Sequence, residues 1–171
     1  IMQDYDSYVI PFFSKSIMSD FFEDYFCDLI IPYIESGLFK AKKGEVYSFT
    51  SFFRGTNKHV NIVLVGFGEE NGVTTDILMN SFGKAITALQ SLKSKNPIIF
   101  MENIAPAVNK VDAFLKSCKA MILAEYTFEK YQTKDDKICR INSIDVFTQY
   151  YEAERCEKRA SIIAHNTILA R

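Results

Sequence analysis

The sequence predicts an α/β domain of three layers, a mixed β-sheet with helices on both faces. Short apolar, β-prone runs such as Val63-Leu64-Val65 and "NPIIFM" (96–101) read as strands. Longer stretches with apolar residues three and four apart read as amphipathic helices. The two kinds alternate along the chain, and a helix that joins strands of one sheet must lie over that sheet. Roughly five or six strands and four helices fit the length, with a strand order that local pattern does not encode.

Tyr8 to Phe13 is short and β-prone and forms the first strand, with capping residues in Ser14 to Ser19. From Met18 the apolar positions run Phe21, Phe22, Tyr25, Phe26, Leu29, Ile30, Tyr33 and Ile34, with Asp20, Glu23, Asp24 and Asp28 on the other side, so a helix with a solvated acidic face follows. Asp20 with Glu23 has the form of a capping box. Pro32 has no amide proton and costs about 3 kcal/mol inside a helix, which predicts a kink or stop there, with Gly37 ending the segment. Lys40, Lys42 and Lys43 precede the alternating Val46 to Thr50, a second strand, and read as solvated loop lysines.

Val60 to Val65 is the next strand, and Gly66 and Gly68 stand at its end. A dinucleotide fingerprint needs a third glycine at position 71, which is Asn71, so a plain strand-turn-helix connection is the reading here. The following helix carries Leu78, Phe82, Ala85, Ile86, Leu89 and Leu92 on one face, with Asp76 at its positive end. After "NPIIFM", Pro106 introduces a helix with Val111, Phe114, Leu115, Cys118 and Ile122 inward, which makes Cys118 a core residue. "ICRINSIDVF" is a last strand or a hairpin-like pair. The final helix turns Cys156, Ala160, Ile163, Ala164 and Ile168 inward.

Composition is that of one ordinary globular domain: 171 residues, 48% hydrophobic and 24% charged. A formal net charge of -1 supplies no field to draw nucleic acid or an anionic membrane, and no apolar run has the length of a spanning helix. Without a leader-like start, the chain reads as cytoplasmic, and Ile1 before Met2 suggests a trimmed beginning. Cys27, Cys118, Cys139 and Cys156 are scattered, without a C-x-x-C pair, which argues against zinc and disulfides. His59 and His165 stand apart from any nucleophile and carboxylate grouping, and no G-x-S-x-G, H-E-x-x-H or Walker motif occurs. No catalytic, cofactor-binding or metal-ligating residue is assigned, and on residues alone the domain reads as non-catalytic.

One segment is more distinctive. In "KVDAFLKSCKAMILAEYTFEKYQTKDDK" (110–137) a helix runs through Ile122-Leu123-Ala124 into Tyr126-x-Phe128-x-x-Tyr131, with Lys130 and Lys134 beside it. This resembles the N-terminal domain of the leucyl (cytosol) aminopeptidases. "SGLFKAKKGEV", "VLVGFG" and "GKAITALQSLKSKNPIIF" are similar to further segments of that domain in the same order, so the resemblance runs from about Tyr8 to Arg171. Departures are the Phe- and Tyr-rich first helix and Ile168, where the family often has Asn.

The resemblance implies a macro-domain-like fold for residues 1–171 as one non-catalytic N-terminal domain, with Gly66 and Gly68 in a turn and no nucleotide. It also implies a parent enzyme that removes N-terminal residues from peptides, using two divalent ions, zinc or manganese, held by a separate catalytic domain. Partners implied are that catalytic domain, further copies in a homohexamer and the peptide substrate. "AHNTILAR" (164–171) is similar to the helix that leads into the catalytic domain, and apolar area left by that helix and the nearby sheet edge predicts some self-association. A second reading takes the fold literally, as a module binding ADP-ribose or a nucleotide near Gly66 to Gly72. Some family members bind DNA through this domain, to which the near-neutral charge lends no support.

Overall fold

The computed structural model describes residues 5–15, 20–53, 57–102, 104, 109–126 and 140–169, with the backbone alone over 20–25. Among these residues five strands make one sheet: β1 (Ser7–Phe12), β2 (Val46–Phe53), β3 (Lys58–Gly66), β4 (Pro97–Phe100) and β5 (Asp145–Phe147). Four α-helices among the described residues accompany them: α1 (Asp20–Glu35), α2 (Thr75–Ser91), α3 (Lys110–Glu125) and α4 (Ala153–Leu169). The spatial order is β2-β3-β1-β4-β5. β1 is parallel to β3 and β4, and β4 to β5, whereas β2 is antiparallel to β3. The sheet is therefore mixed, as the pattern predicts.

Strand side chains alternate between faces, and this alternation divides the core in two. Tyr8, Ile10, Phe12, Ile62, Leu64, Ile98 and Phe100 turn to one face, where Phe26 and Ile30 of α1 cover them. Val9, Val63, Val65, Ile99 and Met101 turn to the other, under Leu78, Phe82, Ile86 and Leu89 of α2 and Phe114, Cys118 and Met121 of α3. α4 packs on α3 from outside. Helices thus lie on both faces. The predicted stripe of α2 is the buried one, and Thr74 caps it by accepting the Ile77 N–H at 3.4 Å.

Three sequence expectations need correction. Of the kink or stop expected at Pro32, the stop does not occur: α1 continues to Glu35. Pro32 falls in the last turn, where few bonds remain to be lost, and tertiary contact holds that turn: the Tyr33 ring stacks on Phe49 at 4.0 Å and touches Tyr47 at 5.5 Å. Gly37, at φ +73°, then ends the segment and donates to the Ile34 carbonyl. The start of α3 is capped by Asn109, whose Oδ1 accepts from the N–H groups of Val111 and Asp112 at 2.9 and 3.2 Å; Pro106 lies outside the described residues. On α4, Cys156, Ala160 and Ala164 are buried, but Ile163 is 37% exposed and Ile168 half-buried. Among the described elements α3 is the main neighbour of α4, and a helix resting chiefly on one neighbour buries a narrow stripe of small residues. The last strand is shorter than the predicted run, and the capping pair Asp20 and Glu23, Cys139, and the aromatics Phe128 and Tyr131 lie outside the described residues or side chains.

Asp6 ties the start of β1 to the loop before β4. Its carboxylate accepts from Ser94 Oγ at 2.6 Å and from the N–H groups of Lys95 and Asn96 at 2.6 and 3.2 Å. Burial pushes this carboxyl up, but the hydrogen bonds from Ser94, Lys95, Ser7 and Asn96 outweigh it and hold the group below its ordinary value. A depressed carboxyl adds stability that is present above the unfolded value, about 4, and is lost as pH falls through the folded value. Asp6→Asn is expected to cost about 1–2 kcal/mol at neutral pH and to flatten the fall in stability below about pH 4. Melting curves of both proteins from neutral to strongly acidic pH check this; parallel curves would contradict it.

Candidate functional site

Two places at the carboxyl ends of the parallel strands could serve as sites, since α/β sheets bind ligands there. The first is the glycine turn after β3. Phosphate binding would need free backbone N–H groups in that turn. Instead the Gly66 N–H donates to the Glu45 carbonyl at 2.8 Å, the Phe67 N–H to Phe12 at 2.9 Å and the Gly68 N–H to Ala41 at 2.8 Å. The loop over residues 39–45 occupies the space, anchored by buried Phe39 and Ala41. A side chain at position 66 would place its Cβ 2.4 Å from the Lys42 carbonyl oxygen and 2.6 Å from the Ala41 carbonyl carbon. Gly68, at φ +77°, lies beneath the Lys43 stem. These glycines admit the protein's own backbone, which removes the support for a nucleotide at this turn.

The second place is a cleft of about 690 Å³ beyond β4 and β5, lined in part by Glu70, Glu102, Lys110, Phe114, Tyr150 and Tyr151. Glu102 accepts a hydrogen bond from the Gln149 N–H, so one carboxylate oxygen ties the two strand ends together. Tyr150 donates its hydroxyl to Glu152 at 2.8 Å. Partial burial, then that carboxylate, push the Tyr150 phenol up to about 12, so it stays protonated at neutral pH and cannot act as a base. Glu102 and Tyr150 were not singled out from sequence. Their one signal is position, just beyond a strand's carboxyl end, and the residues between them number more than forty.

The residues weighed in the sequence do not converge. His59 is the second residue of β3, exposed, with its ring 5.4 Å from Phe52. His165 lies on the exposed side of α4, where Nδ1 meets the Ser161 carbonyl at 2.7 Å. Cys118 and Cys156 are buried, and burial, with the Glu157 charge next, pushes the Cys118 thiol up to about 12, which leaves no thiolate for nucleophilic work. Lys40, Lys42 and Lys43 are exposed. Among the described residues, no three His, Cys, Asp or Glu side chains gather to hold a metal ion, so the donor sets for two divalent ions do not fit the described part of this chain. Among them, too, no helix is long and apolar enough to cross a membrane.

With this geometry in view, known proteins can be set beside the chain. Residues 15–135 match the cytosol aminopeptidase family, N-terminal domain. "Probable cytosol aminopeptidase" of Clostridium perfringens is 27% identical over 139 residues, covering 78% of this chain and 27% of that protein. The protein of the same name from Chlamydia trachomatis serovar D is 28% identical over 148 residues, covering 82% of this chain and 28% of that protein. The chain thus spans about a quarter of the length of these relatives. Among solved structures, a tomato leucine aminopeptidase mutant superposes with TM-score 0.74 at 16% identity, over 99% of this chain and 35% of that one. The bottromycin maturation enzyme BotP gives 0.72 at 15% identity, over 98% and 32%. At such identities the structures speak for the fold. Taken with the match over most of its length, they leave one conclusion: the chain belongs to the cytosol aminopeptidase family, as its N-terminal domain.

Proposed function

We propose that this chain is the non-catalytic N-terminal domain of a cytoplasmic aminopeptidase that releases N-terminal residues from peptides, and that it serves assembly and access to an active site held elsewhere in the polypeptide. One observation carries the reading. The chain matches relatives along 78% of its own length but accounts for 27% of theirs, under a family description that names the N-terminal domain. The two divalent ions and the peptide site are then assigned to the remaining length of such a protein. BotP, whose fold this chain shares, is described in complex with Mn.

The surface supports a scaffolding role. Ile162 and Leu169 on the outer side of α4 are 64% and 84% exposed and offer apolar area to a neighbouring domain. The cleft beyond β4 and β5 holds a protonated phenol and a carboxylate engaged with backbone, which suits a wall rather than a reaction centre. The test is direct. The purified chain, given a leucyl chromogenic substrate with manganese, is expected to show no turnover, and calorimetric titration with ADP-ribose no heat. Turnover that persists through repurification would overturn the non-catalytic reading, and micromolar ADP-ribose binding would overturn the scaffold in favour of a binding module.

A further inference from the structure

The cleft beyond β4 and β5 carries two charges that the fold itself does not use. Glu70 and Lys110 both line it, and both are exposed. Among the described residues neither side chain has a hydrogen-bond or ion-pair partner, whereas the neighbouring Glu69 is paired with Lys15 at 3.3 Å. Glu102, the remaining charged residue of the lining, accepts the Gln149 N–H, so part of its carboxylate is engaged with backbone. The floor is different in kind: Met101, Ile104 and Phe114 are apolar and buried. From it a run of rings leads outward, Phe114 to Tyr150 at 5.6 Å and Tyr150 to Tyr151 at 5.5 Å. At the mouth Tyr151 is 89% exposed, and an aromatic ring continuous with an apolar floor adds area that a ligand would cover.

We infer that this cleft binds, without reacting, a zwitterion that has a free α-ammonium group, a free carboxylate and an apolar side chain: a short peptide or a free amino acid. Glu70 is the partner of the ammonium group. Lys110 is the partner of the carboxylate, and as the first residue of α3 it stands at the positive end of that helix. Met101, Ile104 and Phe114 take the apolar part. Two free charges of opposite sign around an apolar floor match such a molecule at each of its three features, and a few placed polar groups on a mostly apolar wall are the usual construction of a small-molecule site. The volume, about 690 Å³, falls within the range of such sites and admits a short peptide as well as a single residue. A phosphate-rich ligand is disfavoured, because the lining sets two carboxylates against one ammonium. The choice of amino-acid chemistry among zwitterions rests on the aminopeptidase reading; the free charges and the floor do not.

The experiment is calorimetric titration of the chain with L-leucine and with the dipeptide Leu-Leu, each also supplied N-acetylated and as its carboxamide. Variants Glu70→Gln, Lys110→Gln, Tyr151→Ala and Glu35→Gln are titrated alongside. All four positions are exposed, and melting temperatures establish that the fold survives. The zwitterions should bind with a dissociation constant on the order of 1 mM or below. Glu70→Gln and Lys110→Gln should each weaken them by about three- to fivefold, the effect of losing an exposed charge pair. Matching then assigns the orientation: acetylation should cost nothing further in Glu70→Gln, and amidation nothing further in Lys110→Gln. Tyr151→Ala should weaken binding about twofold or more, and Glu35→Gln, on α1, should leave it unchanged. Tighter binding of the dipeptide names a peptide as the ligand, tighter binding of leucine a free amino acid, and either upholds the site. No saturable binding up to about 10 mM, blocked ligands that bind as well as the zwitterions, or an affinity indifferent to both Glu70→Gln and Lys110→Gln would overturn the inference. Each of those failures leaves the non-catalytic reading standing, since the turnover assay decides it.

Discussion

Phe26→Ala is expected to lower stability by about 3–5 kcal/mol, the cost of a large cavity in an aromatic core. Phe26 is fully buried. Its ring stacks on Phe53 at 5.2 Å and 7°, tilts against Tyr8 at 5.2 Å and meets Phe100 edge-on at 6.2 Å. Those partners come from β2, β1 and β4, so one side chain of α1 binds three strands. Among the described residues, α1 is the helix that covers this face, with Phe26 and Ile30 as its fully buried anchors. The loss should therefore fall unevenly, loosening α1 before the opposite layer of α2 and α3. In a chain of this size the melting temperature should drop by roughly 8–15 °C. Hydrogen exchange should show faster exchange in α1 than in α2. A uniform change, or a cost under about 1 kcal/mol, would contradict the packing described.

Gly66→Ala should be the costliest small substitution, at about 2–3 kcal/mol. The added Cβ would fall 2.4, 2.6 and 2.8 Å from backbone atoms of Lys42 and Ala41, which have no flexible end to swing aside. Relief requires moving the loop over 39–45. That movement breaks the bonds from the Gly66 N–H to Glu45, from the Gly44 N–H to Gly66 and from the Gly68 N–H to Ala41. Gly83→Ala provides the contrast. It lies inside α2 with Ala124 Cβ 4.0 Å from the added atom, so the substitution should be neutral or stabilising by about 0.5–1 kcal/mol, the ordinary gain of Ala over Gly in a helix. Thermal melts of the pair, run together, separate close approach from a general intolerance of glycine replacement.

These two cases also mark how far the residues can be read without coordinates. The stripe Leu78, Phe82, Ala85, Ile86 and Leu89 was legible because helical period acts within one segment. The strands around Val63 and Ile99, and so the mixed α/β layering, were legible for the same kind of reason. Gly66 and Gly68 could be seen to make a turn rather than a fingerprint, since position 71 is Asn71. The cause of Gly66 was not visible, because it lies in a loop more than twenty residues upstream. Pro32 misled as to a stop for a related reason: its local penalty is real, but the rings of Tyr47 and Phe49 hold the last turn of α1 from another strand. The candidate cleft was harder still, since Glu102 and the Tyr150 loop become neighbours through the pairing of β4 with β5.

By itself, then, the sequence determined the element types, the buried face of α2, the core placing of Cys118 and the family to which the chain belongs. Those follow from period, propensity and motif order, which act over a few residues at a time. Tertiary structure alone decided the strand order β2-β3-β1-β4-β5, the filling of the glycine turn by the 39–45 loop, the survival of α1 past Pro32 and the exposure of β2 as an edge. Each of these depends on segments distant in the chain competing for the same space, and that competition is settled by packing and hydrogen bonding across the sheet rather than by any local preference.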